Sequence, residues 1–273
     1  MPDTARPSLS AYMSGRLAAG QAVFTQTEAL AALKITRRGF LKAAEREQNR
    51  HTLFNPRYGF YVIVPPQYLS WGAPPPAWYI DDLMRHEGHP YYVGLLKAAE
   101  LHGATHQAVM EFQIVTDKRM PKIRAGRSII AFFYRKNIGR VAEAVADHKT
   151  DTGRMKISSP ELTALDLLRY PHNVGTIDSI ATVLADLGKK VRPERLSKLA
   201  PAFEQTIVQR LGYLLDYLKF TRSADMLLNH LKAAEPLTWV ELDLAYSKQD
   251  EPKIVERNKR WRVVVRHRPE IDE

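Results

Sequence analysis

The sequence predicts an α+β protein in two parts, a small N-terminal unit followed by a larger, mainly helical α+β unit. Three observations carry this. Apolar residues recur at helical spacing along most of the chain. Two β-prone runs flank a turn near residue 57. Five of the seventeen prolines crowd into Pro65-Pro66 through Pro74-Pro75-Pro76, a stretch with neither helix nor central-strand character.

The elements follow in order. Leu9, Tyr12, Met13 and Leu17 share one face of a helix over about 8–19. Thr25-Gln26-Thr27-Glu28 has capping-box form, and Leu30 and Leu33 line the helix it starts. Thr36 caps a third helix over 36–48. Thr52-Leu53-Phe54, a turn at Asn55-Pro56-Arg57-Tyr58-Gly59, and Phe60-Tyr61-Val62-Ile63-Val64 then read as a hairpin. Three helices followed by a hairpin is the order of a winged helix-turn-helix, over 1–64. The Pro-rich stretch, 65–77, reads as an extended linker, leaving 78–273 as the second unit.

That unit begins with helices near 77–87 and 92–102, strands at 111–116 and 128–135, and a helix near 138–148. Ser158 and Glu161 stand in capping-box register, with Pro160 in the first turn of the next helix. Helices near 176–187 (Gly188 as its C′ residue), 193–200, 201–219 and 223–234 follow. Strands at 239–244 and 261–266 close the chain.

The third helix carries the chemistry. On a helical wheel with Arg38 at 0°, Lys42 falls at about 40° and Arg46 at about 80°. Leu41, Ala44, Phe40 and Ala43 fall at about 300°, 240°, 200° and 140°, and Glu45 borders the stripe at about 340°. One face docks while the other is cationic, which suits the DNA major groove and its guanine acceptors. Thr36 and the free N–H groups at the helix start, with Arg37 beside them, are candidate phosphate contacts. So are Thr25 and Thr27, and Arg50 and Arg57 beside or in the wing. Lys118, Arg119, Lys122, Arg124 and Arg127, and the alternating Arg260 and Arg262, are candidate additional contacts. A solvated basic surface is the competing reading.

Composition agrees with an anionic partner. The 273 residues hold 40 Lys and Arg against 30 Asp and Glu, a net charge of +10, and 45% are hydrophobic, enough for a core. With no cysteine there is no disulfide, thiolate metal site or cysteine nucleophile. Met1–Pro7 has no signal-like apolar stretch, and the longest apolar run, Ile129-Ile130-Ala131-Phe132-Phe133-Tyr134, is far too short to span a bilayer. The expectation is a cytoplasmic protein with no membrane partner.

No enzyme signature emerges. His86-Glu87-Gly88-His89 and His102-Gly103-Ala104-Thr105-His106 lack the HExxH spacing of a zinc helix. Gly188-Lys189 has Val183 where a phosphate loop needs glycine, and there is no GxSxG turn. Asp81-Asp82 and Glu241-x-Asp243 read as surface acids, with a nuclease using Glu241 kept as the alternative. The expectation is no catalytic residue, no metal and no cofactor.

Three stretches carry a family resemblance. They are Pro90-Tyr91-Tyr92-Val93-Gly94-Leu95-Leu96-Lys97-Ala98-Ala99-Glu100-Leu101-His102-Gly103-Ala104 with Gln107, Ser159-Pro160-Glu161-Leu162-Thr163-Ala164-Leu165-Asp166-Leu167, and Gln209-Arg210-Leu211-Gly212-Tyr213-Leu214-Leu215-Asp216. In order and spacing the chain resembles the AbiEi family, antitoxins and transcriptional repressors of type IV toxin–antitoxin (abortive phage infection) systems. The resemblance implies an N-terminal winged helix-turn-helix and a larger C-terminal domain. It also implies autorepression through inverted repeats in promoter DNA, as a monomer or weak dimer that is cooperative on DNA, and a nucleotidyltransferase-like toxin countered without a required stable complex. Onto the family's reading helix it places Thr36, Arg37, Arg38, Lys42 and Arg46. Direct toxin binding is the other alternative. Tyr91, Tyr92, Leu95 and Leu101 read as core, with Gly94 and Gly103 permitting close packing or a turn.

Overall fold

The structure, a computed structural model, describes residues 8–105, 109–233, 236–243 and 252–271. Met1–Pro7, His106, Gln107, Ala234 and Leu244, all of which bear on the sequence expectations, lie outside the described residues. The fold is α+β with a mixed sheet. It forms two compact units: Met1–Tyr91 with Met110–Lys136 and Asp147–Lys156, and Tyr92–Val109 with Asn137–Ala146 and Ile157–Glu273.

In the first unit α1 (Leu9–Ala18) starts on Ser8, whose Oγ accepts from Ala11 N at 3.1 Å. β1 (Val23–Thr25), a strand that the sequence pattern does not announce, runs directly into α2 (Gln26–Leu33). Thr25 and Glu28 form the expected capping box, which satisfies two backbone donors at once. α3 (Arg37–Asn49) is capped by Thr36, whose Oγ1 accepts from Gly39 N at 3.2 Å. β2 (Leu53–Arg57) and β3 (Phe60–Ile63) make the hairpin around Gly59, whose φ of +75° suits a residue without a Cβ. The sheet order is β1-β3-β2, antiparallel throughout. Its core joins Leu9, Met13, Leu33, Phe40, Ala44 and Leu53. There Phe40 meets Tyr61 edge-on at 5.2 Å, and Tyr61 stacks on Phe24 at 5.5 Å.

The Pro-rich stretch is not an extended linker. It folds as 3-10 turns at Pro66–Trp71 and Pro76–Trp78, with proline in the first position of each, where a missing N–H costs nothing. It lies inside the first unit. A Cβ on Gly126 would stand 1.9 Å from the Trp71 carbonyl oxygen, so backbone packs on backbone there.

α4 (Ile80–Glu87) follows, and the helix expected over 92–102 divides into β4 (Tyr91–Val93) and α5 (Leu95–Leu101). β5 (Glu111–Thr116) and β7 (Ser128–Tyr134) match expectation and pair in parallel, with β6 (Ile123–Ala125) antiparallel to β7. The helix expected near 138–148 is absent. A 3-10 turn at Ile138–Ala144 gives way to β8 (Val145–Thr150) and β9 (Gly153–Ser158). β4 and β9 pair in parallel at Val93↔Ile157.

In the second unit α6 (Pro160–Arg169) is buried from Glu161 to Leu168, as a helix surrounded by neighbours must be. Its cap is Ser159, not Ser158: Ser159 Oγ accepts from Leu162 N at 3.3 Å, while buried Ser158 faces Thr163 Oγ1 at 2.7 Å. Glu161 accepts from Arg192 N instead of closing a capping box. α7 (Ile177–Leu187) ends at Gly188, which is right-handed with φ −58°. A Cβ there would lie 2.4 Å from the Phe220 ring, so crowding, not turn geometry, is what Gly188 answers. α8 (Pro193–Leu199), α9 (Gln205–Tyr217) and α10 (Thr221–Lys232) follow. β10 (Val240–Glu241) lies parallel to β12 (Val263–Val265), which pairs antiparallel with β11 (Glu256–Asn258), another unanticipated strand.

The family-like motifs are structural here. Tyr92 and Asp166, from two different motifs, are both fully buried, and Tyr92 Oη donates to Asp166 at 2.7 Å. Tyr91 Oη donates to Asp81 at 2.9 Å, and burial raises its pKa well above the ordinary tyrosine value. His102 Nε2 lies 2.7 Å from the Ser158 carbonyl oxygen, and Gly103 turns the chain with φ +64°. On α9, Gln209, Gly212 and Asp216 share one face and hold Trp261. Gln209 donates to the Trp261 carbonyl at 3.0 Å, and Asp216 accepts the indole N–H at 3.0 Å. Gly212 leaves the space the ring occupies.

Candidate nucleic-acid interface

α3 is divided largely as the wheel requires, except that Leu41, which the wheel sets with the apolar residues, is exposed at the border of the stripe. Phe40, Ala44 and Glu47 are buried, whereas Arg38, Lys42 and Arg46 are exposed and make no side-chain hydrogen bond or ion pair among the described residues. Glu45 and Leu41 are exposed beside them, so the stripe has one acid at its edge. Glu47 turns inward, where it accepts from Thr52 Oγ1 at 2.8 Å and lies 3.6 Å from Arg50. Arg50 therefore presents a partly compensated charge.

Arg37 meets a residue that sequence reasoning does not single out. Its guanidinium donates to Tyr58 Oη at 2.6 Å and sits 5.9 Å from that ring's centroid. Tyr58 is 74% exposed at the hairpin tip. The available signal is an aromatic placed directly before the turn glycine, where polar residues are usual. The tip is braced from behind: Gln26 N donates to the Gly59 carbonyl at 2.8 Å, and His86 Nε2 lies 3.0 Å from that of Tyr58.

The other expected contacts differ in availability. Thr25 Oγ1 is engaged in the capping box, and Thr27 is exposed. Thr36 is exposed while capping α3. Arg57 is not presented outward. Its side chain is only 19% exposed, donates to the Pro121 carbonyl at 2.8 Å, approaches Glu87 at 3.8 Å and lies over the Phe132 ring. Of the additional basic residues, Lys118 and Arg124 are exposed, and Arg119 stacks on Tyr134 at 5.0 Å. Lys122 pairs with Glu111 at 2.5 Å while remaining 59% exposed, and Arg127 covers Trp71 at 5.5 Å. Arg260 is committed to Asp216 and Asp225, and Arg262 lies over Trp239 at 5.3 Å.

Charge is unevenly shared. The first unit holds twenty Lys and Arg against eleven Asp and Glu, a net of +9, while the second holds twenty against nineteen, a net of +1. The field that attracts a polyanion therefore belongs to the unit bearing α3. The acids held for the nuclease alternative are otherwise engaged. Glu241 accepts from Arg266 Nε and Nη2 at 3.1 and 3.0 Å, and no three His, Asp or Glu side chains among the described residues are grouped to hold a metal.

The chain is similar to known proteins in its fold and, over part of its length, in sequence. The fold is that of the crystallised RV2827C protein from Mycobacterium tuberculosis, 19% identical, with 94% of this chain and 90% of that chain covered and a TM-score of 0.66. Residues 92–217 match the family model of the AbiEi antitoxin C-terminal domain. That match includes all of the Ser159–Leu167 and Gln209–Asp216 motifs. No curated protein sequence is similar.

Proposed function

We propose that the protein is the antitoxin and DNA-binding autorepressor of a type IV toxin–antitoxin operon, countering a nucleotidyltransferase-like toxin encoded beside it. The observation that supports this best is the Arg38/Lys42/Arg46 stripe, unpaired among the described residues and displayed by a helix whose opposite face docks through Phe40 and Ala44. In this reading residues 1–64 are the winged helix-turn-helix and 78–273 the antitoxin domain. α3 enters the major groove, where Arg38, Lys42 and Arg46 reach base edges or phosphates. Thr36, Thr27 and the N-terminus of α3 hold the backbone, and Arg37 with Tyr58 contacts it at the wing. Polymerase is then excluded from the promoter. The protein acts in the cytoplasm, and no helix among the described residues is long and apolar enough to cross a membrane.

A reporter fused to the region upstream of the protein's own reading frame tests the proposal. Expression falls when the protein is supplied, and co-expression relieves the growth arrest caused by the neighbouring toxin. Unchanged reporter output at full protein expression contradicts autorepression.

A further inference from the structure

We infer that the basic loop between β5 and β6, running on through Arg124 in β6, continues the α3 surface along the same duplex, and that Arg57 is the positioning residue that holds it there. This rests on the DNA-binding reading above. Arg57 and Tyr58 are consecutive at one hairpin tip yet reach different partners. Tyr58 accepts from Arg37 at the start of α3, and Arg57 donates to the Pro121 carbonyl in the loop. Two basic segments far apart in sequence therefore converge on neighbouring residues, whose Cα atoms are about 3.8 Å apart.

The loop is suited to phosphates. Residues 110–136 hold seven Lys and Arg against two acids, and both acids are occupied, Glu111 by Lys122 and Asp117 by His89 at 2.9 Å. Lys118, Arg119 and Arg124 are exposed with no acid paired to them among the described residues. Arg57 has little surface of its own to offer, because it spends its donors on Pro121 and lies against Glu87 and Phe132. Its work is to fix the loop beside the wing, so that the loop's cations fall on the phosphates flanking those beneath α3.

The test uses the full chain and two labelled duplexes, one from upstream of its own reading frame and one scrambled. Each is titrated across a salt series and footprinted with hydroxyl radicals. A Lys118→Gln/Arg119→Gln/Arg124→Gln variant is expected to weaken binding to both duplexes alike and to shorten the footprint on one flank. It should also reduce the slope of log affinity against log salt by about 0.9 for each phosphate that is no longer neutralised. Arg57→Met, which deletes a single charge, is expected to reduce the slope by more than that single increment and to shorten the same flank. A loop variant with wild-type slope and footprint overturns the inference. So does an Arg57→Met protein whose slope drops by only about 0.9 with the footprint unchanged, the behaviour of one ordinary phosphate-binding cation. An Arg38→Ala/Lys42→Ala/Arg46→Ala control separates the two levels. If it loses binding while the loop variant does not, only this inference fails; if it too binds as wild type, the DNA-binding reading fails with it.

Discussion

Replacing Gly212 with alanine tests how the second unit is held together, because two opposed effects of known size meet at one atom. Gly212 sits in the interior of α9, where alanine is favoured over glycine by about 1 kcal/mol through helix propensity alone. The added Cβ, however, would lie 2.0, 2.4 and 2.5 Å from three carbons of the Trp261 ring. Carbon contacts are comfortable near 3.5–4.0 Å, so the indole must retreat by roughly 1.5 Å. It has nowhere to go, being fully buried and donating its N–H to Asp216, while the Trp261 backbone carbonyl accepts from Gln209. Overpacking of this kind costs about 1–3 kcal/mol, and losing the hydrogen bond to a carboxylate about 1.5–3 more. Steric cost wins, and Gly212→Ala is expected to lose about 1.5–5 kcal/mol net. Gly15 is the matched comparison. It lies in α1 with nothing within 4 Å of a built Cβ, so Gly15→Ala is expected to gain about 1 kcal/mol. Urea unfolding followed by far-ultraviolet circular dichroism measures both. A Gly212→Ala protein as stable as wild type would refute the seating of Trp261 against α9.

Other outcomes follow from the same contacts. Tyr92→Phe removes one hydrogen bond to the buried Asp166 carboxyl and is expected to cost about 1.5–3 kcal/mol in the same urea assay. Thr36→Ala removes the cap of α3 and should cost about 1 kcal/mol, whereas Thr36→Ser should keep it, as thermal melts will read. Burial pushes the Tyr213 hydroxyl up to about 12 from an ordinary 10.0. The unfolded chain thus releases this proton first, and stability is expected to fall as pH rises from 10.0 towards 12, with ultraviolet tyrosine titration marking the delayed ionisation.

The elements legible in sequence are those whose signals are local. Thr25, Thr36 and the Asn55–Gly59 turn announce themselves through side chains bonding to backbone a few residues away, and α2, α3 and the hairpin stand where those signals put them. β1 is illegible because three residues are too few to show a period, and its last residue doubles as the α2 cap. β8 reads as helix in sequence because Ile138–Ala144 before it does coil, and the turn at Thr150–Gly153 carries too weak a signal to separate β8 from β9. Ser159 is recoverable: proline prefers the first helical position, which makes the preceding serine the cap. In the candidate site, the wheel places Arg38, Lys42 and Arg46 outward because burial of Phe40 and Ala44 fixes the helix rotation. It has no means of showing that Arg57 turns to Pro121 or that Arg260 is taken by Asp216 and Asp225. Those partners lie between 35 and 64 residues away.

The stripe on α3 is tested most directly by fluorescence anisotropy on a duplex from upstream of the reading frame, with wild type compared against Arg38→Ala/Lys42→Ala/Arg46→Ala at one fixed salt concentration. The side chains are exposed and unpaired among the described residues, so the variant should melt like wild type, yet each base-reading side chain removed should cost about 1–3 kcal/mol of binding. A folded variant that binds that duplex as tightly as wild type would contradict the account.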